Sequence, residues 1–238
     1  MKSTKIEKGS FSMSDFEKGL MLAGYITPSS ISELAEKEEL ERHETTVKEG
    51  TKNLYFKRVV LAAEIVSKLH AEPSLGRVKF QKLVYLCEHV CDMNLADRYV
   101  KQAAGPFDNK FMHSIGQEFS KNKWFAITRE QGENKFGYKF IPLENASSYK
   151  RYYLNYFENV DDKIQYIIEL FRKQKTDYTE LATTVFACFL ELSEKSHKID
   201  KQELLDLFYD WSKEKKRFTE NEVLASYDWL QEKGLITV

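Results

Sequence analysis

Three side chains of metal-ligating type, Cys87, His89 and Cys91, lie close together in the sequence. On a helix the two cysteines share one face, whereas His89 points to another, so the three cannot hold one ion. Structural zinc sites usually take four ligands, with cysteine pairs at turns. We therefore predict that both cysteines are small apolar members of a core helix and that the chain holds no metal.

The sequence contains no recognisable catalytic arrangement. It has no Gly-x-Ser-x-Gly turn, no Walker loop and no glycine motif for dinucleotides. The histidines are scattered, at positions 43, 70, 89, 113 and 197. We therefore expect a protein that is not an enzyme and that needs no cofactor.

A polar and aromatic helix face, followed by a Gly-Pro step, is the more distinctive chemistry. In the helix predicted after Gly76, Lys79, Lys82 and Tyr85 fall outside the apolar stripe. The Gly-Pro step demands an extended or turned backbone before the next helix. A groove between the two would accept a segment of a partner protein, and the simpler alternative is a helix packed on a loop. The candidate partner-binding residues are Lys79, Gln81, Lys82, Tyr85, Gly105, Pro106, Phe107 and Asn109.

A basic run near the C-terminus gives a second candidate site, for nucleic acid. Its cations are Lys213, Lys215, Lys216 and Arg217, and they come directly before a helix with a capping box at Thr219 and Glu222. Lysine and arginine at such a position can hold phosphates. The helix that follows is acidic, which disfavours insertion into a DNA groove. A DNA-binding regulator that uses this turn is therefore an alternative, and a solvated turn is the simpler interpretation.

Helical periodicity dominates the spacing of apolar residues. It predicts helices over 54–70, after Gly76, after Asn109, over 161–173, over 178–194, after Asp200 and after Thr219. Between 124 and 141, two runs of aromatic and β-branched residues flank a Gln-Gly-Glu-Asn segment, which is typical of a β-hairpin. The predicted fold class is α+β and predominantly α-helical, a helical domain with one small β-hairpin.

Charge and composition restrict the organisation and the setting of the chain. Its 238 residues carry 36 Lys and Arg against 37 Asp and Glu, a balance that argues against a strongly basic nucleic-acid binder. Residues 1–50 are predicted to form an acidic helical arm, and residues 51–238 the main domain. No apolar stretch approaches the ~20 residues that span a bilayer. With three cysteines and no apolar signal core, we expect a cytoplasmic protein without a membrane partner.

Two segments of the main domain resemble a known family. The run Val-Lys-Phe-Gln-Lys-Leu-Val-Tyr-Leu at 78–86, followed by Ala-Ala-Gly-Pro-Phe at 103–107, resembles the signature of the Panacea domain, the SocA-like antitoxin family. The positions that match are Lys79, Gln81, Lys82, Tyr85, Gly105 and Pro106. A longer likeness, from about Leu54 to the C-terminus, is to C-terminal modules associated with type I restriction–modification proteins of Bacteroidetes-like bacteria.

These resemblances imply a helical domain with a small sheet and an accessory role in bacterial defence. The methylase's Asn-Pro-Pro-Tyr type motif does not occur in the sequence. We therefore expect a non-catalytic protein-interaction module of a restriction–modification system, with its methylase or specificity subunits as partners and any DNA reached through them. The alternative is an antitoxin that neutralises a partner toxin.

Overall fold

A computed structural model describes residues 5–6, 11–12, 50, 52–95, 98–131, 136–195 and 199–237. The contacts between residues divide the chain into two units, Met1–Asn53 and Leu54–Val238. In the first unit, strand β1 (Lys5–Ile6) pairs with β2 (Phe11–Ser12) in antiparallel fashion. The helices predicted for the N-terminal arm lie outside the described residues.

The second unit begins with two helices that carry much of its core. Helix α1 covers residues 52–69, of which 54–69 lie in this unit, and α2 covers Arg77–Val90 after a turn that contains Pro73. Every side chain from 59 to 66 is buried, so α1 has neighbours on all sides in this stretch. The helix that the sequence predicted after Gly76 is α2, and Gly76 is its N-cap.

Two short hairpins flank the next helix. Strand β3 (Val100–Gln102) pairs with β4 (Gly105–Phe107), and α3 (Asn109–Lys121) follows directly. Strand β5 (Phe125–Gln131) then pairs with β6 (Phe136–Pro142), with Ile127 opposite Phe140. The second of these is the hairpin predicted at 124–141. The first is an addition to the single hairpin that the sequence predicted.

Helices complete the unit. They are α4 (Lys150–Phe157), α5 (Asp161–Arg172), α6 (Thr176–Ser193), α7 (Lys201–Asp210) and α8 (Glu220–Glu232), with 3₁₀ turns at Glu158–Val160 and Lys213–Arg217. Helix α6 contacts α2, α7, α8 and β4, and all its side chains from Thr179 to Phe189 are buried. The fold is therefore α+β and mostly helical, with α6 at its centre.

The neighbours of α2 correct one expectation. Lys79, Lys82 and Tyr85 were predicted to lie outside the buried stripe, yet each is less than one-tenth exposed. Helices α5 and α6 and strand β4 contact α2, so its polar face is covered as well as its apolar one. The reason is tertiary, because helical periodicity predicts one buried face and α2 has several.

Candidate partner-binding cleft

Lys79 is buried and links the turn before α2 to the C-terminal end of α5 by hydrogen bonds. Its Nζ donates to the Oγ of Ser74 at 2.7 Å and to the carbonyls of Arg172 and Gln174 at 3.0 and 2.7 Å. The last carbonyls of a helix lack partners within that helix, and here a lysine from α2 satisfies them at the end of α5. Burial lowers the pKa of Lys79 to about 8. Lys79 therefore holds the fold and is closed to a partner.

Lys82 holds the Gly-Pro step against the core. Its Nζ donates to the carbonyl of Pro106 at 2.6 Å, and burial together with the charge of Lys215 lowers the pKa of Lys82 to about 7. Gly105 has a φ of +96°, and a Cβ at this position would lie 2.6 Å from the Oγ1 of Thr184 on α6. Only glycine fits here without strain or a clash. The sequence-predicted meeting of helix and turn exists, and most of it is a packed interface.

The other members of the predicted set divide between the interior and the surface. Gln81 is buried, and neither of its amide atoms meets a hydrogen-bond partner among the described residues. Phe107 is half-buried, with the guanidinium of Arg77 5.9 Å from its ring centre. Asn109 is exposed at the start of α3. These three side chains do not share one accessible surface with the buried lysines.

Tyr85 and Pro106 are the predicted residues that line an accessible cavity. A cleft of about 240 Å³ lies between α2, α6 and the β3–β4 hairpin, and we call it the hairpin cleft. Its walls also include Tyr99, Val100 and Trp211. The ring of Tyr85 lies edge-on to that of Tyr99, with 4.7 Å between centres. The hairpin cleft therefore combines three aromatic side chains with the apolar side chains of Ala187 and Leu190 on α6, which we call its apolar floor.

The rim of the hairpin cleft is charged and internally paired. Lys101 on β3 forms an ion pair with Glu191 on α6 at 2.8 Å, and its Nζ lies 5.0 Å from the ring centre of Trp211. The bond to Lys101 lowers the pKa of Glu191. The indole Nε1 of Trp211 donates to the carbonyl of Gln102 at 3.0 Å. These contacts fix the hairpin to α6 and to the end of α7.

A buried charge cluster that the sequence did not predict holds Tyr99, one of the residues that line the cleft. The Arg58 guanidinium of α1 contacts the carboxylates of Glu88 and Asp108, all three side chains being nearly inaccessible. The hydroxyl of Tyr99 donates to Glu88 at 2.8 Å, and Asp108 accepts from the amide of Phe111 at 2.9 Å as the N-cap of α3. The partners come from distant parts of the chain, so spacing gave no signal. The position of Asp108 just before a helix was the one available hint.

The four cations of the predicted nucleic-acid site do not share one environment: Lys215 is buried and the other three are exposed. Lys215 is fully buried, and its Nζ donates to Glu180 and to the Oγ1 of Thr184, each at 2.9 Å. Arg217 pairs with Glu180 at 2.9 Å, while Lys213 and Lys216 are exposed. Burial lowers the pKa of Lys215. The prediction that the four cations form one phosphate-binding surface is therefore wrong for Lys215, because α6 supplies it with an internal carboxylate.

The cysteines are buried and do not converge on a shared ligand. Burial raises the pKa of Cys91 to about 11 and that of Cys188 to about 12. The ring of His89 lies 4.0 Å from the ring of Tyr85, on the side of the hairpin cleft. Within the described ranges, no group of three or more His, Cys, Asp or Glu side chains is placed to hold a metal ion.

Comparisons with known proteins add no family. No protein-family model matches the chain, and a search of curated proteins finds no match. Among the described residues, no helix is both long and apolar enough to cross a membrane.

Proposed function

We propose that this chain is a non-catalytic protein-interaction module of a bacterial restriction–modification system and that it binds its partner protein at the hairpin cleft. The observation that carries the proposal is the combination of aromatic walls with an exposed apolar side chain, Val100, which is 52% exposed. Aromatic side chains are enriched where protein partners bind, and they dominate the energetics of such interfaces. The resemblance of the α2 and Gly-Pro segments to defence-associated domains supports the biological setting.

The rigidity of the cleft supports the same proposal. Tyr99 is held by Glu88, Pro106 by Lys82, and Trp211 by the carbonyl of Gln102. A surface whose side chains are already fixed loses little conformational entropy when a partner binds. The internal pairing of Lys215 and Arg217 makes the basic turn a weaker candidate for a binding surface than the cleft.

A charge placed in the cleft tests this proposal. We expect Val100→Glu to weaken partner binding by about tenfold or more, because it buries a carboxylate against an apolar floor. Leu154→Glu is the matched control, since Leu154 on α4 is 58% exposed and does not line the cleft. The measurement is affinity purification of the tagged variants from the native host, with quantitative mass spectrometry, followed by titration of the purified partner.

The identity of the captured protein decides between the two defence roles. Recovery of methylase or specificity subunits with the wild type and with Leu154→Glu, but not with Val100→Glu, would support the restriction–modification role. Recovery of one small protein that inhibits growth, with the same dependence on Val100, would replace that role by the antitoxin one. Equal recovery with all variants would overturn the hairpin cleft as the partner surface.

A further inference from the structure

At the outer edge of β3, the main-chain groups of Lys101 are open to a partner. Lys101 lies opposite Pro106 in the β3–β4 register, and proline has no N–H to give to a ladder. This pair must therefore be the one that exchanges no hydrogen bonds, so the amide and carbonyl of Lys101 point away from β4. All three residues of β3 are exposed, and β3 pairs with β4 alone among the described strands. An open edge of this kind is a template for another strand.

The hairpin cleft, which β3 lines through Val100 and Lys101, continues into a second depression that is acidic. A second depression, of about 470 Å³, shares His89, Leu190 and Glu194 with the cleft and extends to Asp92. We call the combined surface the acidic groove. Asp92 and Glu194 are both exposed, and neither forms an ion pair within the described part of the chain. Glu191 and Glu88 also line this surface, but Glu191 is already paired with Lys101 and Lys195, and Glu88 with Arg58.

The positions of Asp92 and Glu194 indicate the charge that the groove favours. Helix α2 ends at Val90 and α6 ends at Ser193, so each carboxylate lies beside the C-terminal carbonyls of a helix. The negative end of the helix dipole disfavours an anion there and favours a cation. Both carboxylates are therefore placed where a bound cation would relieve an unfavourable local field.

We propose that β3 and the acidic groove bind an extended, basic segment of the partner protein, which adds as a third strand beside β3. The open edge requires an extended main chain, the apolar floor takes alternating apolar side chains, and the carboxylates take Lys or Arg. This rests on the proposed function and specifies the partner. Charge complementarity favours a basic segment of a partner protein over the N-terminal residues of this chain and over a second copy of it. Residues 1–50 of this chain carry seven Lys and Arg against ten Asp and Glu, and a second copy would bring an equally acidic groove.

A labelled peptide provides a direct test on the full chain. The probe is a fluorescein-labelled, end-capped Lys-Val-Arg-Val-Lys-Val-Arg peptide, and the comparison peptide has Glu at the four basic positions. By fluorescence anisotropy, we expect the basic peptide to bind about tenfold more tightly or better at low salt, with the advantage falling as salt screens the groove. Asp92→Lys combined with Glu194→Lys removes that advantage, whereas Glu158→Lys, an exposed acid on the 3₁₀ turn after α4, retains it.

The strand geometry is tested by two substitutions at one position. Lys101→Ala removes the side chain and its pair with Glu191, and Lys101→Pro removes the outward N–H as well. Proline is tolerated at an edge position that bonds no neighbour, so the hairpin is retained. We expect Lys101→Pro to bind the probe about fivefold more weakly than Lys101→Ala, the effect of one main-chain hydrogen bond. A probe N-methylated on alternate amides removes the reciprocal bond, in which a peptide N–H donates to the outward carbonyl of Lys101.

Three results would overturn the proposal. The first is equal affinity for the basic and the acidic peptide. The second is equal affinity of Lys101→Pro and Lys101→Ala for the basic peptide, together with full binding of the peptides N-methylated on either set of alternate amides. The third is a dimer of the wild-type chain in analytical ultracentrifugation that Lys101→Pro dissociates. The last would assign the β3 edge to a second copy of the chain. If the basic peptide does not bind but Val100→Glu still abolishes recovery of the partner, then binding as a third strand is rejected and the proposed function is retained.

Discussion

Lys82 shows how burial changes the role of a side chain in this protein. As a residue type it is suited to a charged partner, but its Nζ lies inside, bonded to the carbonyl of Pro106. The cost of burying an ammonium group lowers its pKa to about 7. Lys82 is therefore a titrating structural residue that secures the Gly-Pro turn to α2.

This lowered pKa predicts how stability depends on pH. Between the folded pKa of about 7 and the ordinary value near 10.5, the unfolded chain binds a proton that the folded chain has released. The free energy of unfolding therefore rises with pH across this window, by up to about 5 kcal/mol. We expect Lys82→Met to lose its own share of this rise in urea titrations from pH 7 to pH 10, while Lys79 and Lys215, whose pKa values burial also lowers, keep theirs. Lys213→Met, on an exposed lysine, retains it, and an identical pH profile for Lys82→Met would contradict the assignment.

The Arg58 cluster predicts a large effect from one substitution. Arg58→Met leaves the carboxylates of Glu88 and Asp108 buried without their cation, which costs about 3 to 5 kcal/mol of unfolding free energy. Chemical denaturation measures this loss. Lys173→Met removes a solvent-exposed ion pair with Glu72 and leaves the unfolding midpoint unchanged. A loss below about 1 kcal/mol in Arg58→Met would show that the cluster is not held by its charges.

The β3–β4 hairpin was not predicted from the sequence. Its strands have three residues each, too short for alternation to be seen, and its turn is Ala-Ala and not a glycine or asparagine pair. The β5–β6 hairpin has seven residues in each strand and a long aromatic and β-branched signal, so it was predictable. Pattern length therefore decided which hairpin could be read from the sequence.

A substitution at Gly105 tests whether the close approach of β4 to α6 is required for stability. Gly105→Ala combines a positive φ with a Cβ 2.6 Å from the Oγ1 of Thr184, and we expect a loss of about 2 to 4 kcal/mol in unfolding free energy. Gly137→Ala is the control on β6, because a Cβ there meets no atom within 4 Å. Thermal unfolding of both variants gives the comparison. Similar melting temperatures for the two would mean that β4 can move away from α6.

At the scale of the whole molecule, the contacts separate residues 1–53 from the helical unit. The described core is drawn from Val59 to Ile236, and its central helix α6 is surrounded by elements of that range. A domain with its own core unfolds independently of the chain attached to it. We therefore expect the helical unit to remain folded without the first 49 residues.

Truncation tests this independence. A chain of residues 50–238 retains the whole of α1, and we expect its melting temperature to lie within about 2 °C of that of the full chain. Circular dichroism and differential scanning calorimetry measure this value. A fall of about 10 °C or more would show that residues 1–49 stabilise the helical unit.

The sequence by itself determined the α+β class, the long hairpin and the helices of the second unit other than α4, because those follow from local periodicity and capping that neighbouring residues impose on one another. The short helix α4 (Lys150–Phe157) was not predicted. The sequence also brought the helix of Lys82 and Tyr85 together with the Gly-Pro step. Only the tertiary structure decided which side chains remained accessible. Lys79, Lys82 and Lys215 became internal because carbonyls and a carboxylate from distant segments meet them. Val100 remained outside because the hairpin packs on α2 and α6 mainly through β4. Such meetings depend on contacts across the chain, which no local pattern encodes.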